Sequence, residues 1–358
     1  MSGVIYIIFG ILIFGILIAV HELGHFLAAR SLGVRVNEFS IGMGPKVWKK
    51  QGKETLYTIR ALPFGGFCQM EGEDEDTGDA RAFTAAKRWK RGVILAAGAF
   101  MNLVLGFIIV VVIVYSQSSG FGGATITNFE SYYDSTGPSG GLMVGDTVVR
   151  LNGERIYYSN DFQMFLSLAK SDTVNLVVRR DGQSVPLNHF TFNWHDVTVD
   201  GATAQKIGVD FNYISPTFGA KLNYSLYTMM NYVRLIRVSL VELFTGAAGI
   251  RDLSGPVGIV SSMYAVGEQT HQFGLALLQI INFGGFIAVN LAIMNLLPIP
   301  ALDGGRILFL FIMAAIEKVA KRRVNPKYEG YIHASVFVLL VGLMAFTVIN
   351  DVLRIING

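Results

Sequence analysis

Val4-Ile-Tyr-Ile-Ile-Phe-Gly-Ile-Leu-Ile-Phe-Gly-Ile-Leu-Ile-Ala-Val-His21-Glu22-Leu23-Gly24-His25 decides the fold of this chain. The seventeen residues from Val4 to Val20 carry no charge. As a helix rising about 1.5 Å per residue they extend roughly 25 Å, close to the depth of a bilayer's hydrocarbon core. His21 and His25 then follow on one helical face with Glu22 beside them. That pattern suits a zinc hydrolase, in which two neutral nitrogens hold Zn²⁺ and a carboxylate takes a proton from water. The same motif arises by chance in soluble helices. An ionisable cluster at membrane depth is costly, however, so function is the stronger reading.

Composition agrees with a membrane setting. Of the 358 residues, 52% are hydrophobic and 15% charged, with a mean hydropathy of +0.46, outside the range of soluble domains. The net charge of +3 matters less than where the Lys and Arg fall. They cluster beside hydrophobic spans and form no separate basic domain, which argues against nucleic acid as a partner. The single cysteine, Cys68, excludes an internal disulfide. The first segment lacks a basic leader and ends in the metal motif instead of a small-residue cleavage site, so it is expected to be retained.

Residues 1–30 make the first span. Residues 31–91 follow; counted from Arg30, the stretch 30–91 holds twelve Lys and Arg, and none precedes the span, so the N-terminus is expected outside and this stretch in the cytoplasm. Within it, Phe39–Trp48 and Thr55–Phe67 mix β-formers with Gly and Pro and suggest hairpins. These form either a membrane-associated β-element or an ordinary connector. The acidic run Glu71–Asp79 reads as a solvated loop.

A second span covers 92–115. Its Asn102 is read first as a hydrogen-bond partner for another helix, and second as a neighbour of the metal. Residues 116–212 change to polar turns and short alternating strands, a compact α+β domain expected on the extracytoplasmic side. Ser139–Ile156 reads as a short helix, a turn, a strand and an Asn-Gly hairpin. Asp161–Lys170 reads as a helix, Thr173–Arg180 as a strand, Asp181-Gly182 as a second hairpin and Lys206–Phe211 as a closing strand. In 213–274, Tyr224–Phe244 is apolar but interrupted by Arg234, Arg237 and Glu242, which fits an amphipathic helix in the interface. The breaker-rich Asp252–Val260 has no role derivable from physics. A third span at 275–305, a basic cytoplasmic loop at 306–330 and a fourth span at 331–352 complete a polytopic α-helical membrane protein of about four transmembrane helices. The C-terminus is then expected outside.

A catalytic zinc site needs a third ligand. The third span ends in Asn295-Leu-Leu-Pro298-Ile-Pro300-Ala-Leu302-Asp303-Gly304-Gly305, at the same membrane side as the histidines. Broken backbone at that depth is tolerated only where protein or a wet cavity covers it. Asp303 is therefore the expected partner of His21 and His25, with Glu22 as general base; a plain Asp-Gly turn is the simpler alternative. Asn295 either holds the substrate backbone or caps its helix. A hydrolytic centre at this depth acts on something that is itself in the membrane, most simply a transmembrane peptide. Such a helix must unwind before attack, and the Pro298/Pro300 region or the loop around Phe64, Gly65, Gly66 and Phe67 would then accept it as an added strand.

His21-Glu22-x-x-His25 at the end of a first span, Asn295-x-x-Pro-x-Pro-x-Leu-Asp303-Gly-Gly and an intervening outer domain resemble the site-2 protease family of intramembrane zinc metalloproteases, in particular its bacterial RseP-like group. The resemblance covers nearly the whole chain. It implies Zn²⁺ as cofactor and residence in the bacterial cytoplasmic membrane, among its lipids. It also implies that 116–212 is a PDZ domain able to bind C-terminal peptides, on the strength of Gly141-Leu142-x-x-Gly145-Asp146 and Leu151-Asn152-Gly153. A membrane-reentrant β-loop within 37–70 and a substrate-contacting segment around Gly255-Pro256-Val257-Gly258 follow from the same likeness. Anti-sigma factors already trimmed by another protease, and remnant signal peptides, are the substrates it implies. The chain has room for one PDZ domain, so gating by a tandem does not carry over.

Two other readings compete. A catalytically silent scaffold would use only its outer domain, and would not need the full His/Glu/His/Asp set. A metal transporter would spread polar residues along a path across several spans, whereas here they gather at one end.

Overall fold

The computed structural model describes residues 4–357 except 74–76, 137–140, 170, 172, 200–201, 247–248, 250–254, 256–257, 259–260, 262–272 and 321–326. In chain order, α1 (Val4–Ser31), β1 (Val36–Gln51), β2 (Leu56–Met70) and α2 (Arg88–Ser116) come first. Then follow β3 (Phe121–Phe129), β4 (Ser135–Thr136), β5 (Thr147–Leu151), β6 (Glu154–Arg155) and α3 (Ser159–Ser167). After them come β7 (Thr173–Arg180), β8 (Gln183–Phe192), β9 (His195–Val199), β10 (Ala202–Lys206) and β11 (Val209–Ile214). The helices α4 (Phe218–Phe244), α5 (Phe273–Leu296), α6 (Asp303–Ala320) and α7 (Lys327–Asn357) close the order. Four helices among the described residues, α1, α2, α5 and α7, are long and apolar enough to cross a membrane, as expected. The chain divides into two compact units, residues 1–113 with 232–358, and residues 114–231.

In the first unit, α1, α2 and α5 approach one another at glycines, the usual device where lipid removes any hydrophobic drive for association. A methyl group on Gly24 would overlap the Ala97 carbonyl oxygen, one on Gly106 would stand 2.8 Å from Val289, and one on Gly284 would stand 3.0 Å from Ile13. Leu17, Ile280, Ile287 and Ala288 are buried along this seam. Towards the histidines, Phe26, Ala29, Ile94, Leu95 and Leu310 form a second buried cluster with Val36, Cys68 and Met70 of the strands.

The strands β1 and β2 are long and bent, and each pairs with the other twice. Ser40 faces both Thr58 and Phe67, and Ile59 faces both Ile41 and Trp48. The hairpin is thus a small sheet in the order 46–51, 56–60, 36–41, 66–70. Among the described residues, the segment 66–70 is an edge.

Two expectations for this unit are corrected. The third helix stops at Leu296, not at 305, because Pro298 and Pro300 cannot donate to a continuing helix. Residues 306–330 are not simply a loop: α6 runs from Asp303 to Ala320, with Ile307 and Leu310 packed on the Phe26 cluster. The last helix, α7, has only 6% of its span buried, yet its Asp351 is 2% exposed. Asp351 Oδ2 accepts hydrogen bonds from the Gly255 and Gly258 amides at 2.9 and 2.8 Å. A side chain on Gly255 would stand 2.8 Å from Thr347 Oγ1, and one on Gly258 2.7 Å from Asp351 Oδ1. The rest of Asp252–Val260 lies outside the described residues.

The second unit is built on an antiparallel sheet in the order β11-β3-β5-β7-β8-β4, with β6 paired to β5. Its core is Val148, Leu151, Phe162, Leu176, Val178 and Phe190. Both expected hairpin turns form with positive φ at Asn152 (48°), Gly153 (86°), Asp181 (49°) and Gly182 (81°), the type I′ signature. The short helix expected after Ser139 does not form at 141–146, which makes a turn. Buried Asp146 ties that turn by accepting the Met143 amide and pairing with Arg180 at 2.7 Å. The unit also runs past 212. The first half of α4, expected at a membrane interface, packs onto it: Tyr224 stacks on Phe121 at 4.1 Å and Asn231 bonds to buried Asp161.

Candidate active site

His21 and His25 lie one turn apart on α1, and the break after α5 carries Asp303 back to them. His21 Nε2 is 3.2 Å from His25 Nε2, and Asp303 Oδ2 is 3.2 and 3.4 Å from the two nitrogens. The Leu302-Asp303-Gly304-Gly305 turn needs its glycines: a methyl group on Gly304 would overlap the Leu296 and Leu297 carbonyls, and one on Gly305 the Ile299 oxygen. Ala301, at φ +77°, completes this sharp reversal.

The donor set fits zinc. His25 Nδ1 lies 2.8 Å from the Ile94 carbonyl oxygen. A carbonyl can only accept, so Nδ1 carries the proton and Nε2 turns its lone pair to the cluster. Among the described residues, buried Asp303 Oδ2 has no hydrogen bond of good geometry despite its short approach to both rings. Unrelieved acceptors in a dry site are costly, and a cation relieves them. Space is reserved as well. A methyl group on Gly98 of α2 would overlap His25 Nε2 and stand 2.8 Å from His21 Nε2.

Glu22 joins the three in lining a cleft of about 580 Å³. Phe67, Cys68, Gln69 and Met70 of β2 line the same cleft, together with Glu38, Arg60, Glu73, Ala301 and Arg306. Strand and helix approach closely, for a side chain on Gly66 would stand 3.5 Å from Glu22 Cγ. Arg60 stacks 5.0 Å over the Phe67 ring and bonds Glu38 at 2.9 Å. Glu38 also accepts from Lys46 at 2.9 Å and Thr58 at 2.8 Å.

The structure therefore gathers His21, Glu22, His25, Asp303 and Phe67, with Gly66 against Glu22. Gly65, at φ +79°, packs on Met43, and Phe64 lies in the same strand with its side chain outside the described residues. Asn295, Pro298 and Pro300 are not among the residues lining this cleft; the prolines shape the turn that presents Asp303. Asn102, expected to bond a neighbouring helix, is 1% exposed with both amide atoms unpartnered among the described residues. Sequence reading missed Gly98, the Ile94 carbonyl and the Glu38–Arg60 pair. Only Gly98 left a trace, in the small-residue run Ala96-Ala97-Gly98-Ala99.

Membrane-length helices around a buried His-Glu-x-x-His centre, completed by a distant carboxylate, define the class of polytopic zinc metalloproteases. The chain belongs to peptidase family M50, whose model matches residues 9–343. It is 34% identical over 350 residues to a Clostridium perfringens protein provisionally named a zinc metalloprotease, covering 97% of this chain and 98% of the relative. It is 28% identical over 421 residues to the zinc metalloprotease RasP of Geobacillus kaustophilus, covering 96% of each. To the regulator of sigma-W protease RasP of Bacillus subtilis it is 27% identical over 429 residues, covering 96% of this chain and 97% of the relative. The chain is thus an intramembrane zinc metalloprotease.

Proposed function

We propose that His21, His25 and Asp303 hold the zinc, and that Glu22 is the proton-transfer residue for hydrolysis of a peptide bond in a membrane-embedded segment of another protein. The observation that carries this reading is the convergence of His21, His25 and Asp303 beside Glu22, on a cleft that residues 67–70 of the edge segment also line. When bound, zinc makes a water more acidic and polarises a carbonyl. Glu22 then takes the proton of the attacking water and returns it to the leaving nitrogen. The Ile94 carbonyl keeps the His25 ring in one tautomer throughout.

A helical substrate hides its peptide bonds in its own hydrogen bonds and must be extended to react. The edge segment supports strand addition, because its other side is paired with 36–41. Phe67 and Gly66 would then bracket the scissile bond, with Phe64 and Gly65 extending the strand. Asn295, Pro298 and Pro300, outside the cleft lining, would act on the substrate only indirectly, through the turn that bears Asp303.

The second unit is read as an extracytoplasmic PDZ domain. A groove of about 680 Å³ between α3 (Asn160, Gln163, Met164) and Lys206–Asp210 supports binding of a peptide C-terminus. The N- and C-termini share that side, and the membrane is the bacterial cytoplasmic one. The Bacillus subtilis relative is named for regulating sigma-W, which supports trimmed anti-sigma factors as substrates, with remnant signal peptides as the other class.

Glu22→Gln tests the reading against a silent scaffold and a transporter. Cleavage of a helix-destabilised transmembrane reporter should fall by roughly 10²- to 10⁴-fold, with zinc content unchanged. Normal cleavage by this variant would refute the assignment.

A further inference from the structure

Asp303 stands in the first turn of α6, and this helix is tied down at both ends by charge. Near its start, Arg306 Nη1 donates to Glu73 Oε1; near its end, Glu317 accepts from Arg88 of α2. Asp303 and Arg306 are three residues apart and so share a helical face. Glu73 and Arg306 both line the cleft that holds the metal ligands.

Glu73 is itself firmly seated. Its Oε2 is 3.4 Å from the Met70 amide at the end of β2. The residues just before it are held through Glu71, whose amide donates to the Arg35 oxygen at 2.9 Å and whose oxygen accepts from Phe83 at 2.7 Å. Arg35 before β1, the end of β2 and Phe83 before α2 thus supply the frame, and Arg306 hooks the first turn of α6 to it. By contrast, the outer side of α6 gives little purchase, since Phe311 is 71% and Val319 85% exposed.

We propose that Glu73 and Arg306 are positioning residues for the metal centre: their ion pair pins the start of α6 to the loop after β2 and thereby sets Asp303 Oδ2 against the two imidazoles. Partners one step removed from a metal ligand typically change metal affinity about 10- to 100-fold when lost, and this pair reaches the ligand through less than one turn of helix. The inference rests on the reading of Asp303 as a ligand.

The test measures zinc affinity of the full-length protein in lipid nanodiscs by competition with a chromophoric chelator, with cleavage of a membrane reporter as a second readout. Glu73→Gln and Arg306→Gln should each weaken zinc binding at least about 10-fold, Arg306→Lys should keep most of the affinity, and the double Gln variant should be no worse than either single one. Arg88→Gln, at the far end of α6, controls for loosening of the helix as a whole and should leave zinc affinity within about threefold. Wild-type zinc affinity in Glu73→Gln, additive losses in the double variant, or an equal loss in Arg88→Gln would each overturn the proposal. Asp303→Asn separates the two readings. If it leaves zinc affinity intact, the ligand assignment itself fails; if it alone weakens zinc, only the positioning role fails. Should a Gln variant not fold, as judged by circular dichroism, the Arg306→Lys affinity decides: a loss as large as that of Asp303→Asn counts against the pair.

Discussion

A methyl group added to Gly98 of α2 would overlap Nε2 of His25 on α1. The proposed metal centre is therefore shaped by a residue that offers no ligand. Gly98→Ala should lower zinc affinity at least about 10-fold, the scale set by losing a partner of a ligand, and cleavage should fall with it. Gly92, at the start of the same helix, has nothing within 4 Å of its Cβ position, so Gly92→Ala should bind zinc normally. Metal analysis after dialysis against chelator checks both, and retained zinc in Gly98→Ala would remove the argument from space.

The edge segment predicts a separable effect. Phe67 lines the same cleft as Glu22 but offers no metal ligand. Phe67→Asp should reduce reporter cleavage about tenfold or more by placing a charge where a substrate strand would lie, while zinc content stays at the wild-type level. Unchanged cleavage would count against strand addition at this edge.

Asp161 is fully buried in the second unit. Its Oδ2 accepts the Tyr157 and Tyr158 amides at 2.8 and 3.3 Å, and its Oδ1 accepts from Asn231. Asp161→Ala leaves those donors without their acceptor and should destabilise the unit by about 1–3 kcal/mol. Hydrogen exchange at the amides of α3 is the measurement, and protection equal to wild type would contradict it.

Asp351 is a buried carboxylate in a helix most of whose span is exposed. Asp351→Leu removes the acceptor for the Gly255 and Gly258 amides, and those amides should exchange at least about tenfold faster, the change expected from losing roughly 1.4 kcal/mol of protection. Gly258→Ala should do the same, because its Cβ would stand 2.7 Å from Asp351 Oδ1. If the two substitutions add instead of coinciding, the carboxylate and the glycine act independently.

Much of the fold and site was legible because the deciding signals are local. An uncharged run long enough for a bilayer made α1 readable, His21 and His25 needed only helical spacing, and Asn-Gly and Asp-Gly gave the two hairpins of the second unit. The joining of Asp303 to the histidines could be argued from the order of the spans. What failed locally did so for physical reasons: α6 was hidden between two prolines before it and the basic residues Lys321, Arg322, Arg323 and Lys327 after it, and the first half of α4 looked interfacial because its aromatic partners lie far back in the sequence.

The sequence by itself determined the membrane class and the chemistry of the ligands, since hydropathy and an i, i+4 motif are properties of short stretches. Only the tertiary structure decided which distant groups meet beside those residues and elsewhere in the fold. Gly98 beside His25, the Ile94 carbonyl on Nδ1, Glu73 on Arg306 and Asp351 on two glycine amides all join residues distant in the chain. Such contacts arise from the packing of whole helices and strands, and no short stretch of sequence records them.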